Sequence, residues 1–116
     1  MPRDIASFLP LPPRDYLVLF ALTDGERHGY GIVKDVEALT EGLVTLDPSN
    51  LYRSIKRLID DGLVAESSQR STTAGAEERR RYYSITSFGK DVVAAEAERF
   101  SQLADAARSR RLIPGG

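Results

Sequence analysis

No cysteine occurs in the 116 residues, which removes disulfide frameworks, thiolate zinc sites, iron–sulfur ligation and thiol catalysis and suits a reducing cytoplasm. Histidine is almost as scarce: His28 stands alone, so no histidine cluster is on hand for a metal. Tryptophan is absent too, leaving flat stacking to phenylalanine and tyrosine. The longest apolar run, Leu17 to Leu22, falls far short of the about 18 residues that span a bilayer, and Asp15 just ahead of it does not suit a secretion leader. These absences describe a soluble cytoplasmic chain with no membrane partner, no cofactor and no metal. With 41% hydrophobic and 28% charged residues, the composition is that of one ordinary globular domain, since a domain takes about 150 residues.

Positive charge is not in excess overall, because the formal net charge is -1. A uniformly basic nucleic-acid coat is thereby excluded, and any such binding must rest on a local patch. Residues 48 to 59 carry Arg53, Lys56 and Arg57 with no acid, and residues 67 to 85 carry Arg70, Arg79, Arg80 and Arg81 against Glu77 and Glu78. Those two stretches hold all of the surplus positive charge, and the rest of the chain is acidic.

The order of elements follows from periodicity and punctuation. Residues 1 to 13 contain Pro2, Pro10, Pro12 and Pro13 and form an arm, with room for one helical turn around Ile5, Phe8 and Leu9. A first helix runs from Arg14 to about Thr23 and stops at Asp24-Gly25; a second runs from about His28 to Thr40, with Gly42 placed to take a left-handed conformation beyond its end. The third has the clearest start, with Asp47 as cap and Pro48 at the first helical position, and Gly62 ends it. Two short strands follow, 63 to 67 and 81 to 85, around a polar loop. A final helix opens near Thr86 or Ser87 and continues to about Arg111. At about 1.5 Å per residue it is longer than so small a domain can cover.

The third helix has two unlike faces. With Leu51 as origin, Ile55, Leu58 and Ile59 lie within about 80° of it, while Ser49, Asn50, Arg53, Lys56 and Arg57 lie on the other side. Arginine and asparagine are suited to bidentate contact with guanine and adenine edges, and the polar cluster sits at the end that enters the major groove in helix-turn-helix proteins. A solvated helix face would show the same pattern, but the basic hairpin behind it favours DNA. Tyr52, about 100° from Leu51, stands at the edge of the buried stripe and suits either packing or a phosphate contact. In the hairpin Tyr83 and Ile85 share one face and Arg80, Tyr82 and Ser84 the other. Arg79, Arg80 and Arg81 either reach a flanking phosphate or minor groove or pair locally with Glu77 and Glu78.

Several spaced motifs carry a resemblance: His28-Gly29-Tyr30-Gly31-Ile32, then Pro48-Ser49-Asn50-Leu51-Tyr52-Arg53-Ser54-Ile55-Lys56-Arg57-Leu58, then Asp61-Gly62-Leu63-Val64, then Arg81-Tyr82-Tyr83-Ser84-Ile85-Thr86 with Gly89. Over about residues 14 to 93 the chain resembles the PadR family of bacterial transcriptional regulators, in the small subclass with a single C-terminal helix. The resemblance implies a mainly α fold with a two-stranded β wing: an arm over 1–13, a winged helix-turn-helix over 14–86, and a dimerisation helix and tail over 87–116. It implies a homodimer that binds double-stranded operator DNA, usually as a repressor, and is released by a small-molecule effector. It also places Tyr30, beside His28, near phosphate, where His28 either caps the second helix or touches the backbone. Two departures stand out. Ser49-Asn50 replaces the Gly-Thr usual before the Leu-Tyr pair, which bears on base preference, and Glu77-Glu78 precede the wing arginines.

In the last helix Phe88, Val92, Val93, Phe100, Leu103, Ala104 and Ala107 form one stripe, the spacing expected of a helix packed on a symmetry mate or folded back on its own chain. Glu96 falls inside that stripe, a costly position for a carboxylate unless a basic group such as Arg99 or a wet cavity meets it. Glu96 and Phe100 are the candidate contacts for an apolar or cationic effector.

Catalysis finds no support. Gly29-Tyr30-Gly31 lacks the third glycine and the preceding strand of a dinucleotide fingerprint, Gly89-Lys90 lacks the rest of a phosphate loop, and His28 has no nucleophile in sequence context. The expectation is a sequence-specific transcriptional regulator acting on an inverted repeat. The rival reading is a winged helix used only for protein contacts.

Overall fold

The computed structural model describes residues 4–70 and 79–115. After a short 3-10 turn at Ile5–Phe8, the chain forms α1 (Pro13–Leu22), β1 (Arg27–His28), α2 (Gly29–Leu39), α3 (Pro48–Asp60), β2 (Val64–Arg70), β3 (Arg79–Ile85) and α4 (Ser87–Ser109). This is the expected winged helix with one long terminal helix. One element was not expected. Arg27–His28 pairs with Tyr83 and Tyr82, so the two-stranded wing becomes a three-stranded antiparallel sheet in the order β1-β3-β2. Two residues are too few to show an alternating pattern, which is why β1 left no sequence signal.

Local chemistry sets the boundaries of α3. The Asp47 carboxylate accepts from the Asn50 N–H at 2.8 Å, and Pro48 occupies the first turn, where its missing N–H costs nothing. At the far end Gly62 takes φ 78°, the Leu63 N–H donates to the Leu58 carbonyl and the Gly62 N–H to Ile59, a Schellman closure that only a left-handed residue permits. Gly42 is left-handed beyond α2 as expected, but the residue ahead of it is left-handed as well. Glu41, with φ 51°, is the left-handed residue that closes the helix, and Gly42 follows it at φ 81°. The Gly42 N–H reaches back to the Glu37 carbonyl at 2.8 Å, and this six-residue closure puts the turn at position 41.

Buried residues from every helix and the sheet form one core, including Val18, Leu19 and Leu22 of α1, Ile32 and Val36 of α2, Leu51, Ile55 and Leu58 of α3, Tyr83 of β3, and Val92 and Val93 of α4. Thr86 binds the start of α4 to the end of α3: its hydroxyl donates to the Gly62 carbonyl and accepts from the Gly89 N–H, and its own N–H donates to Leu63. The end of α3 and the start of α4 are therefore tied to one another. No helix among the described residues is long and apolar enough to cross a membrane.

Candidate nucleic-acid interface

Along α3 the predicted division of faces is realised. Leu51, Ser54, Ile55 and Leu58 are buried, while Ser49, Tyr52, Arg53, Lys56 and Arg57 are exposed and Asn50 is half-buried. The polar residues do not share one state. The Ser49 hydroxyl and the Asn50 side-chain amide both donate to Asp47, at 2.8 and 2.9 Å, so both are turned back onto the cap. The Asn50 N–H, and after it the Ser49 hydroxyl, hold the Asp47 carboxyl below the usual carboxylate range. Arg53 has no ion-pair partner among the described residues, and Lys56 has only exposed Asp60 at 3.7 Å. Arg57 is committed elsewhere: its Nε and Nη2 donate to both carboxylate oxygens of Asp15 on α1, at 2.8 and 2.7 Å.

Beside α3 a cleft of about 390 Å³ opens toward the sheet. Its floor is Ile55, Ile59 and Tyr83, and its rim carries Lys56 with Asp60 and Arg81 with Glu66. Arg81 lies 3.8 Å from Glu66, with most of its side chain in solvent, and exposed pairs at this distance contribute little. Basic side chains therefore stand on both sides of a groove and can be released to an incoming phosphate at small cost. Arg79 and Arg80 continue β3 opposite Arg70 and Gln69 of β2. Glu77 and Glu78, expected ahead of them, lie outside the described residues.

His28 caps α2, its Nδ1 accepting from the Gly31 N–H at 3.1 Å, with its ring edge-on to Tyr82. The capping half of its expected roles is thus filled. Tyr30 is 66% exposed, and the Lys34 ammonium stands 5.4 Å from its ring centroid. Sequence alone does not single out Lys34, although its position four residues after Tyr30 places it on the same helical face. Tyr52, 49% exposed, closes over Gly29: a Cβ on that glycine would come within 2.7 Å of the Tyr52 hydroxyl. Packing and exposure coexist at Tyr52, since its hydroxyl end lies over Gly29 of α2 while about half of the residue remains exposed.

The α4 stripe divides at Glu96. Ahead of it, Val92 and Val93 lie in the chain's own core, and Phe88 packs edge-on to Phe8 of the arm at 5.5 Å. Beyond it, Phe100 is 40% and Leu103 54% exposed, with Ala104 and Ala107 half-buried. The Tyr16 ring meets Phe100 at 4.9 Å and Phe20 at 5.8 Å, which extends this apolar surface onto α1. Glu96 is fully buried. Its Oε2 accepts from the Leu11 N–H at 2.7 Å and its Oε1 from the Arg99 Nε. Arg99, helped by the Leu11 N–H, draws the Glu96 carboxyl below its ordinary pKa despite the cost of burial. Both oxygens have partners within the chain, so Glu96 ties down the arm in this structure, with Arg99 meeting it as expected. No group of three or more residues able to hold a metal occurs among the described residues.

Comparison with known proteins agrees with this geometry. The profile of the Transcriptional regulator PadR-like family matches residues 18–95. No curated protein sequence matches. Among solved structures, a transcriptional regulator from Clostridium thermocellum is similar at 24% identity and TM-score 0.68, over 90% of this chain and 94% of that one. A PadR family regulator from Clostridium difficile aligns at 21% identity and TM-score 0.71, over 84% and 97% of the two chains. Bacillus subtilis PadR, solved in complex with operator DNA, is similar at 23% identity and TM-score 0.60, over 70% of this chain and 44% of that longer one.

Proposed function

The chain belongs to the PadR-like family of transcriptional regulators, and on that premise we propose that it is a homodimeric repressor that binds an inverted-repeat operator and is released by a small-molecule effector. The single observation that carries the DNA reading is the outer face of α3. Arg53 stands there without an ion-pair partner among the described residues, one turn past a capped helix start and opposite the buried Leu51 and Ile55. In this reading α3 enters the major groove, Arg53 reads bases, and Ser49 and Asn50 exchange their Asp47 hydrogen bonds for base or backbone contacts. Lys56 and Arg81 bracket the phosphates along the cleft, Arg79 and Arg80 add positive charge further along β3, and Tyr30, Lys34 and Tyr52 line the backbone beside α2. The B. subtilis relative was solved in complex with operator DNA, which supports DNA as the partner.

Phe100, Leu103, Ala104 and Ala107, joined by Phe20 of α1, form the proposed dimer surface. An effector acts at the Tyr16, Phe20 and Phe100 rings between protomers, since Glu96 is already engaged. Two copies related by a twofold axis would read half-sites whose centres are about 10 base pairs apart.

The test is a gel shift with the DNA upstream of the protein's own gene. Arg53→Ala is expected to cost roughly 1–3 kcal/mol and relax sequence preference, whereas Arg80→Ala weakens all sequences alike and lowers the salt slope by about one. Wild-type binding by both variants overturns the site assignment. Retardation of no fragment leaves the protein-contact reading in its place.

A further inference from the structure

Arg57 lies on the outward side of α3, one turn beyond Arg53, where the sequence pattern alone assigns it to DNA. In the folded chain its guanidinium is gripped by a carboxylate that is 2% exposed, Asp15 in the first turn of α1. Both oxygens of Asp15 are used, at 2.7 and 2.8 Å, while the Arg57 side chain remains 44% exposed. Among the described residues α1 otherwise meets α3 through apolar packing within the common core and through the charge of Arg14 near the Asp47 cap, and neither is directional as a hydrogen bond is. A two-point fork between a planar guanidinium and a carboxylate is directional. It adds a directional tie along α3 to the Thr86 tie at its end, on the side of the helix that Arg57 shares with Arg53 one turn earlier.

We propose that Asp15 is a positioning residue for DNA recognition: through its fork to Arg57 it sets the angle of α3, and so the affinity for operator, without touching DNA. Arg57 then serves the aim of the helix and not the neutralisation of a phosphate. The proposal rests on the reading of α3 as the DNA-binding helix. Its physical basis is that aiming is a matter of geometry, on which the base contacts depend, whereas attraction to the phosphate backbone is a matter of charge. The next residue of α1, Tyr16, packs on Phe100 of α4, so the segment that aims α3 is also seated on the proposed dimer helix.

The experiment measures fluorescence anisotropy of the full-length chain on the retarded fragment and on random DNA of equal length, across a range of salt. Each variant is first verified as folded by circular dichroism. Arg57→Lys is the decisive variant, because lysine keeps the charge a phosphate requires but cannot form the planar fork. The expected result is a loss of about tenfold in operator affinity for Arg57→Lys and for Asp15→Asn, with no further loss in the double variant. Affinity for random DNA and the salt slope stay at wild-type values, which a smaller folded fraction would not reproduce. Should Asp15→Asn fail to fold, Arg57→Lys decides alone. Operator binding by Arg57→Lys at wild-type strength, or an Arg57→Ala variant whose salt slope drops by about one phosphate, overturns the proposal and makes Arg57 a backbone ligand. If the wild type retards no DNA, the reading of α3 falls and this proposal with it.

Discussion

A carboxylate removed from water must find partners or give up its charge. Glu96 finds two, Arg99 one turn along the helix and the Leu11 N–H 85 residues away in sequence. The first is visible in the sequence, because i and i+3 share a face. The second is not, since nothing in residues 1 to 13 announces that the arm lies over α4. The same limit governs Arg57: its exposure follows from the helical wheel, its engagement by Asp15 only from the approach of α1. The chemistry of Glu96 has a pH signature. Its folded pKa is depressed, so its contribution is fully present above the ordinary glutamate value of about 4.3 and is lost as pH falls through the lower folded value. Glu96→Gln keeps an acceptor for Leu11 and loses the ion pair. Urea unfolding at pH 7 should show a loss of about 1–2 kcal/mol, and the difference from wild type should shrink as pH drops below about 4.

At the scale of elements, α3, β2 and α4 are held in register by backbone contacts that leave no room for a side chain. A Cβ on Gly89 would run into the Leu63 carbonyl oxygen and come within 2.8 Å of Ile85. That carbonyl accepts from the Thr86 N–H at 3.0 Å, so it cannot withdraw without losing that hydrogen bond. Helix propensity favours alanine over glycine by about 1 kcal/mol, but overpacking against backbone costs about 1–3 kcal/mol. We expect the clash to win: Gly89→Ala should be net destabilised, read as a lower urea midpoint with unchanged slope. The boundaries of α1, α3 and α4 were legible because caps, prolines and periodicity agree there. The strand at Arg27–His28 and the left-handed Glu41 were not, since the first depends on β3 being adjacent and the second on how α2 closes.

For the molecule as a whole, the 23 residues of α4 extend for about 34 Å, at about 1.5 Å per residue. Its first half is part of the core, and its second half shows Phe100 and Leu103 to solvent. Leu103 is the cleaner probe of the proposed dimerisation, being more than half exposed and outside the Tyr16 aromatic cluster. Leu103→Asp should leave the thermal transition of the fold nearly unchanged and weaken self-association by at least about tenfold in sedimentation experiments. Operator affinity should fall with it, because a monomer engages one half-site.

Sequence by itself determined the order of the helices and of the β2–β3 hairpin, the polar face of α3 with Arg53 on it, and the excess length of the last helix, since each rests on spacing along one segment and on local backbone chemistry. Tertiary structure decided which polar side chains on that face are already engaged, that Glu96 holds the arm, and that the α4 stripe divides into an inner and an outer half. Those outcomes depend on pairs of residues tens of positions apart, and packing alone determines which of them meet.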